Sequence, residues 1–352
     1  MERLKDLRAA VPQLLGWYRS VRRPLPFRES PTPYRVWVSE VMLQQTRIEA
    51  ALPYFERFMQ TLPTVADLAA ASEDTLLKLW EGLGYYSRVR NLQKAAVILC
   101  RDYGGKLPAD YEELLALPGI GEYTAGAIAS IAYGLPVPAV DGNVLRVFAR
   151  LTNCAEDVMK TPVRRRMREW VTAVMPPESG LFNEAVMELG ETVCLPNTTP
   201  RCEICPLAAV CAARAAGTAA DLPVRSQPKE RRIEQKTVVL VFTDETTPRV
   251  WLRKRPEKGL LSGLWEFPTL EGTLTPSEAA AALGLSPETA GSLPPAKHVF
   301  SHIEWQMTGV KLVVKPFDPP AGTVLVTADE QAAAYALPGA FAAYTKQLKT
   351  LK

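Results

Sequence analysis

The sequence lacks any apolar run near the roughly 18 residues that a membrane-spanning helix needs, although 47% of its 352 residues are hydrophobic. Its start, MERLKDLRAA, is charged from the second residue on, so no secretory leader is expected. Cysteine is scarce outside one stretch: of 6 in the chain, only Cys100 and Cys154 stand elsewhere, alone in apolar surroundings that suit buried inert thiols. A disulfide framework of the kind that staples small secreted domains is thereby excluded, and a cytosolic, reducing setting is expected. The net charge of +3 is too small to argue for a nucleic-acid partner by itself. The chain is long enough to bury a core in about two domains.

What is present is concentrated. CLPNTTPRCEICPLAAVC, residues 194–211, holds Cys194, Cys202, Cys205 and Cys211, with seven, two and five residues between them and no histidine nearby. Clustered thiols in a reducing setting hold metal more often than each other. Most zinc sites show two short cysteine pairs with a long gap. One tight pair with two outliers also fits an iron–sulfur cluster, which needs one thiolate per iron. The spacing leaves both metals open.

From Val11 to about Arg214 the pattern is one of successive amphipathic helices split by Pro and Gly. Residues 217–236 are small, polar and basic and read as a linker. Beyond them KTVVLVF, PRVWLRKR and MTGVKLVVKPF alternate or run in β-branched residues, which predicts a smaller α+β domain over 237–352. Basic residues gather in knots: Arg22 with Arg23; Arg164, Arg165, Arg166 and Arg168; Lys229, Arg231 and Arg232; Arg253, Lys254 and Arg255. Separate knots suit phosphate contacts, and a solvated helix face is the alternative for each. LPGIGEYTAGAIAS, 117–130, sets Gly119 and Gly121 about one apolar residue just before a helix of small residues. Such a turn lets backbone N–H groups approach a phosphate without reading sequence, or it is an ordinary turn between packed helices.

Two carboxyls suggest chemistry. Glu40 has Val36, Trp37, Leu43 and Gln44 as its helical neighbours; desolvation there raises a carboxyl's pKa and keeps a proton available near neutral pH. Asp141, before Gly142 and Asn143 at the head of a helix, sits where a carboxylate is favoured in its charged form. An acid for the leaving group and an anion for an oxocarbenium-like centre form the pairing used to break glycosidic bonds. A plain N-cap for Asp141 and an ion pair for Glu40 are the alternatives.

Taken in order, PYRVWVSEVMLQQT, WEGLGYYSRVRNLQKAA, LPGIGEYTAGAIAS, VDGNVLRV, FNEAVMELG and the cysteine loop resemble the helix-hairpin-helix DNA glycosylase superfamily, and within it the MutY-type adenine DNA glycosylases. The match runs over nearly the whole chain. It implies a mainly α N-terminal catalytic region over 1–216, with a six-helix barrel lobe (26–135) and an iron–sulfur lobe (1–25 with 136–216). A linker (217–236) and an α+β Nudix-like domain (237–352) follow. The implied reaction is hydrolytic removal of adenine mispaired with 8-oxoguanine or guanine in duplex DNA, by a monofunctional enzyme that flips the base out. The implied setting is a monomer at the nucleoid of a bacterial cytoplasm.

The resemblance assigns Glu40 as the acid and Asp141 as the carboxylate that stabilises the sugar cation. Tyr123 and Asn143 line that cation and the water, with Glu184 and Arg28 in supporting positions. Arg23, Leu25 and Phe27 match the adenine pocket. Gln45 matches the wedge that enters the base stack, and Gly119 and Gly121 the hairpin on the DNA backbone. Cys194, Cys202, Cys205 and Cys211 match the ligands of one [4Fe-4S] cluster, and Phe300, Ser301 and His302 the loop that reads 8-oxoguanine. Endonuclease III, a related enzyme, carries a catalytic lysine two residues after the second hairpin glycine; here Tyr123 stands there, so Schiff-base strand cleavage is not expected. Residues 264–286 lack the glutamate cluster with which Nudix hydrolases hold magnesium, so that domain is expected to recognise, not hydrolyse. Three departures stand out. The first cysteine gap is seven residues where the family has six, Phe27 replaces the usual tryptophan, and Thr32 and Pro33 replace the acidic residue usual near PY.

Overall fold

The computed structural model describes residues 2–226 and 230–351. It divides into two compact units, Met1–Ala70 with Asn91–Gln227 and Ala71–Arg90 with Pro228–Lys352.

The first unit is helical. Its Glu2–Val21 helix presents Leu7, Ala10, Val11, Leu14, Leu15 and Tyr18 on one buried stripe, the spacing of an amphipathic helix. That stripe shares one apolar core with the helices Gly142–Leu151, Thr161–Val174 and Ser179–Thr192. The N-terminal helix thus folds together with segments more than 120 residues later. Helix Pro33–Leu43 begins with proline in its first turn, and the Thr32 side chain accepts from Arg35 N at its N-cap, a favourable start. It ends at Gln44, and the next residue, Gln45, takes a left-handed φ of 63°. The short helix Glu122–Ala127 passes directly into a π-helical turn, Ile128–Ala132. Residues 217–226, read from sequence as linker, lie against this unit: Val158 N donates to Val224 O at 3.1 Å, and Arg150 Nε to Leu222 O at 2.9 Å.

The second unit is built on a mixed sheet of β1 (Arg232–Thr243), β2 (Val250–Lys254), β3 (Trp265–Glu266), β4 (Thr269–Glu271), β5 (Thr289–Val299), β6 (Ile303–Val314) and β7 (Thr323–Val326). The order is β3-β2-β1-β6-β5, with β4 on β1 and β7 on β2. β1 and β6 run parallel, pairing Lys236 with Met307 and Leu240 with Lys311. The run TVVLVF in β1 is buried on both faces: Val238, Leu240 and Phe242 enter one core, and Val239 and Val241 enter the other. A central strand covered on both sides reads as a continuous apolar run for this reason. Residues 71–90 pack with this unit. Arg90 Nη2 donates to Ser262 O at 2.6 Å, Leu337 N to a Glu81 carboxylate oxygen at 2.7 Å, and Lys254 pairs with Asp74 at 3.0 Å. On the helix Pro276–Ala282 the acidic residue Glu278 is engaged in a capping box with Thr275. That leaves no carboxylate cluster on this helix.

Among the described residues no helix is long and apolar enough to cross a membrane.

Candidate active site

The helical unit holds a cavity of about 700 Å³ whose wall includes Phe27, Arg28, Glu40, Gln45, Tyr123, Asp141, Asn143 and Glu184. Eight of the residues singled out in the sequence thus meet at one place, brought there from five separate segments. The volume falls within the range that suits a small organic ligand.

Glu40 is 7% exposed, and the Tyr123 hydroxyl donates to its Oε2. Burial pushes its pKa up to about 7, and the Asp141 and Glu184 charges push the same way. The Tyr123 hydrogen bond and the Arg28 charge oppose them. Tyr123 is itself pushed well above its ordinary value by burial and by the Glu40 and Asp141 charges, so it remains a neutral donor. The shift of Glu40 follows the rule that an uncharged carboxyl is cheaper to bury than a carboxylate.

Asp141 caps the helix Gly142–Leu151: Oδ1 accepts from Val144 N at 2.7 Å and Oδ2 from Asn143 Nδ2 at 2.8 Å. The cap favours the anion, as its place in the sequence suggests, yet burial is the larger effect and the net shift is upward. Asn143 is oriented in turn by Arg146, which donates to Asn143 Oδ1 at 2.8 Å, to Gly190 O at 2.6 Å and to Cys194 O at 2.8 Å. Gly190 is required where the two helices touch, because a Cβ there would stand 2.6 Å from Asn143 Cβ. Sequence reasoning missed Arg146, although it lies one turn after Asn143 in VDGNVLRV.

Behind the cavity lies a charged layer. Glu184 accepts from Tyr18 Oη at 3.1 Å and Arg22 Nη2 at 3.4 Å. Arg28 donates to Glu188 at 2.8 Å. Phe27 packs edge-on against Phe55, with centroids 5.4 Å apart. Arg23 and Leu25 stand outside the wall. Arg23 is drawn back to Glu188 and Glu191, and Leu25 carries the backbone turn into Pro26–Glu29. Gln45 is exposed at the cavity edge in its left-handed conformation, which is costly for a non-glycine residue. In the hairpin, Gly119 has φ 79°, and a Cβ there would meet Asn91 Cβ at 2.6 Å, so only glycine fits. Gly121 forms the N-cap of Glu122–Ala127 in extended backbone.

Most of the basic knots are spent on carboxylates. Arg253 and Arg255 both bind the buried Glu266, Arg232 binds Glu234, and Arg22 and Arg23 bind the layer just described. Arg168 donates to Tyr111 Oη at 2.6 Å. Arg164 lines the cavity. Lys229 lies outside the described residues.

Cys194, Cys202, Cys205 and Cys211 line a second cavity of the helical unit, with Arg150 Nη1 donating to Cys194 Sγ at 3.2 Å. Burial pushes the Cys205 thiol up to about 11 and raises Cys202 and Cys211 as well, each reinforced by neighbouring thiolate charge. Among the described residues no three His, Cys, Asp or Glu side chains converge closely enough to hold a single metal ion.

In the β-rich unit, Phe300, Ser301 and His302 form the turn between β5 and β6, closed by Phe300 N donating to Ile303 O at 2.8 Å. Phe300 is clamped edge-on by His298 (4.6 Å) and Trp305 (5.0 Å). The indole of Trp305 donates to Glu234 at 3.0 Å. Ser301 and His302 are exposed, and Ser301 Oγ lies 3.3 Å from Tyr85 Oη.

Comparison with known proteins places both parts of the chain in families. Residues 38–173 match the family model of the HhH-GPD superfamily of base excision DNA repair proteins, and 237–347 match a NUDIX domain. The chain is 37% identical to the adenine DNA glycosylase of Mus musculus, over 85% of this chain and 69% of the mouse protein. It is 33% identical to that of Buchnera aphidicola from Schizaphis graminum, over 73% and 74%. Among solved structures, a DNA-bound endonuclease III trapped as a covalent intermediate superimposes with a TM-score of 0.52 at 25% identity, covering 61% of this chain and 98% of that one.

Proposed function

The chain belongs to the adenine DNA glycosylases of base excision repair, and from that premise we propose how its residues divide the work of cleaving the N-glycosyl bond. Adenine inside a duplex is out of reach and must be flipped into a pocket. Glu40 donates the proton that lets adenine leave as a neutral base; its support is a pKa of about 7 in a site shared with Asp141. Asp141 meets the sugar cation with its charge, and Asn143 holds that carboxylate in place. The carboxylate left on Glu40 then takes a proton from the attacking water, with Tyr123 keeping its oxygen oriented. Phe27 offers a flat apolar wall to the base. Gln45 fills the space the base leaves, and the Gly119–Gly121 turn takes a backbone phosphate. Tyr123, standing where a lyase needs its amine, leaves the chemistry purely hydrolytic.

The single observation that carries this reading is the sharing of one cavity by Glu40 and Asp141. Its test is single-turnover release of adenine from duplexes with A opposite 8-oxoguanine, guanine, cytosine or thymine. Release from none of them overturns it.

Phe300, Ser301 and His302 are assigned to 8-oxoguanine, with Phe300 as an apolar wedge held firm by its two aromatic neighbours. Stacking on one base contributes about 1–3 kcal/mol, so Phe300→Ala should lower the preference for A opposite 8-oxoguanine over A opposite guanine about tenfold. The rate with guanine should stay within about twofold, since no pocket residue changes. Equal losses on both substrates sink the assignment.

The four cysteines are assigned to one [4Fe-4S] cluster. Four thiols lining one cavity supply the one thiolate per iron that such a cluster needs. When bound, the cluster supplies a rigid cross-link between four points of the loop, and adenine hydrolysis asks no electron of it. Chemical analysis should find about four irons and four sulfides per chain, with absorption near about 400 nm. Zinc in their place rejects the assignment.

A further inference from the structure

Helix Ser179–Thr192 places Glu184 in the cavity wall and Glu188, one turn on, behind it. Glu188 is 1% exposed, and both of its oxygens are used. Oε1 meets Arg23 Nε at 2.7 Å; Oε2 accepts from Arg23 Nη2 at 2.9 Å and from Arg28 Nη2 at 2.8 Å. One carboxylate thus fixes two guanidiniums. Arg23 continues outward to Glu191 at 2.7 Å and Glu49 at 3.4 Å. Arg28 turns inward: it lines the cavity, and its Nε stands 3.9 Å from Glu184.

We propose that Glu188 is a positioning residue for adenine release, holding the Arg28 guanidinium away from the acid and offsetting its charge so that Glu40 keeps its proton. This rests on Glu40 being the acid. The groups that act most strongly on Glu40 come from four elements: Tyr123 from the hairpin helix, Asp141 from the cap of Gly142–Leu151, Glu184 from Ser179–Thr192, and Arg28 from Pro26–Glu29; Arg47, Arg164 and Glu191 also line the cavity. Of those four side chains Arg28 is the cation, and it acts with the Tyr123 hydrogen bond to lower the acid's pKa. Without Glu188, its remaining partner in the wall is Glu184. That pairing would cancel an anion that now favours a protonated Glu40. It would also leave the guanidinium charge without its nearest counterion. Both changes make Glu40 the stronger acid and empty it of its proton at lower pH.

The experiment is the pH profile of single-turnover adenine release for the wild type, Glu188→Gln, Glu188→Asp, Arg28→Gln and the double variant. Binding to a duplex carrying a non-hydrolysable adenine nucleotide is measured alongside. For Glu188→Gln the falling limb should move to lower pH by about 1 unit, with about a tenfold loss at pH 7.5 and recovery in acid. Binding should stay within about twofold. Glu188→Asp, which keeps the charge, should restore part of the shift. Arg28→Gln should move the limb upward, and the double variant should bring it back to the wild-type position or above. A uniform loss at every pH with the limb in place overturns the proposal, as does an unchanged rate. So does an unchanged limb in Arg28→Gln, should Glu188→Gln fail to fold. Full activity in Glu40→Gln instead removes the reading beneath it, and so is told apart.

Discussion

Glutamine in place of Glu40 should reduce adenine release by about a thousandfold or more, within the range that general acid–base catalysis supplies, while the chain stays folded. Glutamine keeps the side-chain length and can still accept from Tyr123 Oη; what it loses is the dissociable proton. The same group should govern the wild-type pH profile. Its pKa in the folded protein is raised to about 7, and the acid acts in its protonated form. Once Asp141 is ionised, the rate should therefore hold up to about pH 7 and fall as pH rises through it. Stability follows the same titration. A folded-state pKa above the unfolded one gives a contribution fully present below the unfolded value of 4.5 and lost as pH rises through about 7. From about 4.5 to about 7 the loss amounts to about 3 kcal/mol. Glu40→Gln escapes that loss, so the inactive variant should melt above the wild type at pH 8, and the gap should close toward pH 5. A wild-type rate in this variant, or a stability gap that does not depend on pH, removes Glu40 from the role.

The carboxyls are legible in the sequence because each carries its cause in its own neighbourhood. The apolar helical neighbours of Glu40 predict its desolvation, and the Gly142 and Asn143 that follow Asp141 mark a helix start. β1 is legible for a similar reason, since a run buried on both faces needs no partner to be recognised. Features that depend on distant partners are not. Arg28 and Glu188 are 160 positions apart, and no periodicity connects them. The basic knots read as phosphate contacts, yet Arg253 and Arg255 converge on Glu266, a residue that pattern alone leaves unremarkable. Residues 71–90 have the helical pattern of the chain around them, but their backbone and ion-pair partners lie on the β-rich unit. Composition marks 217–226 as linker because small polar residues commonly are; the carbonyls of Leu222 and Val224 nevertheless accept bonds from the helical unit. Asp141 shows both sides: its cap follows from local sequence, and the burial that outweighs the cap does not.

Asparagine in place of Asp141 should also cost about a thousandfold or more in rate, the scale on which a preorganised electrostatic group acts at a developing charge. Its pH signature should be the reverse of that left by Glu40→Gln. Asn and Asp cap helices about equally well, and the amide oxygen of the substituted side chain can still accept from Val144 N; its amide nitrogen cannot accept from Asn143 Nδ2, so stability should fall by about 1–2 kcal/mol. The charge is what disappears. In the wild type that charge must be in place before the sugar cation forms, so the rate should climb as Asp141 ionises. Burial puts that ionisation above the ordinary aspartate value. The wild-type profile is thus a bell, with Asp141 setting the rising limb and Glu40 the falling one. Glu40→Gln should erase the falling limb and Asp141→Asn the rising one, each leaving the other behind in the residual rate. The two carboxyls face one cavity, and the Asp141 charge raises the proton affinity of Glu40. Removing that charge should therefore also pull the surviving falling limb to lower pH. Measured single-turnover rates in which Asp141→Asn keeps a full bell, or moves the falling limb upward, would separate these two side chains and with them the mechanism built on their pairing.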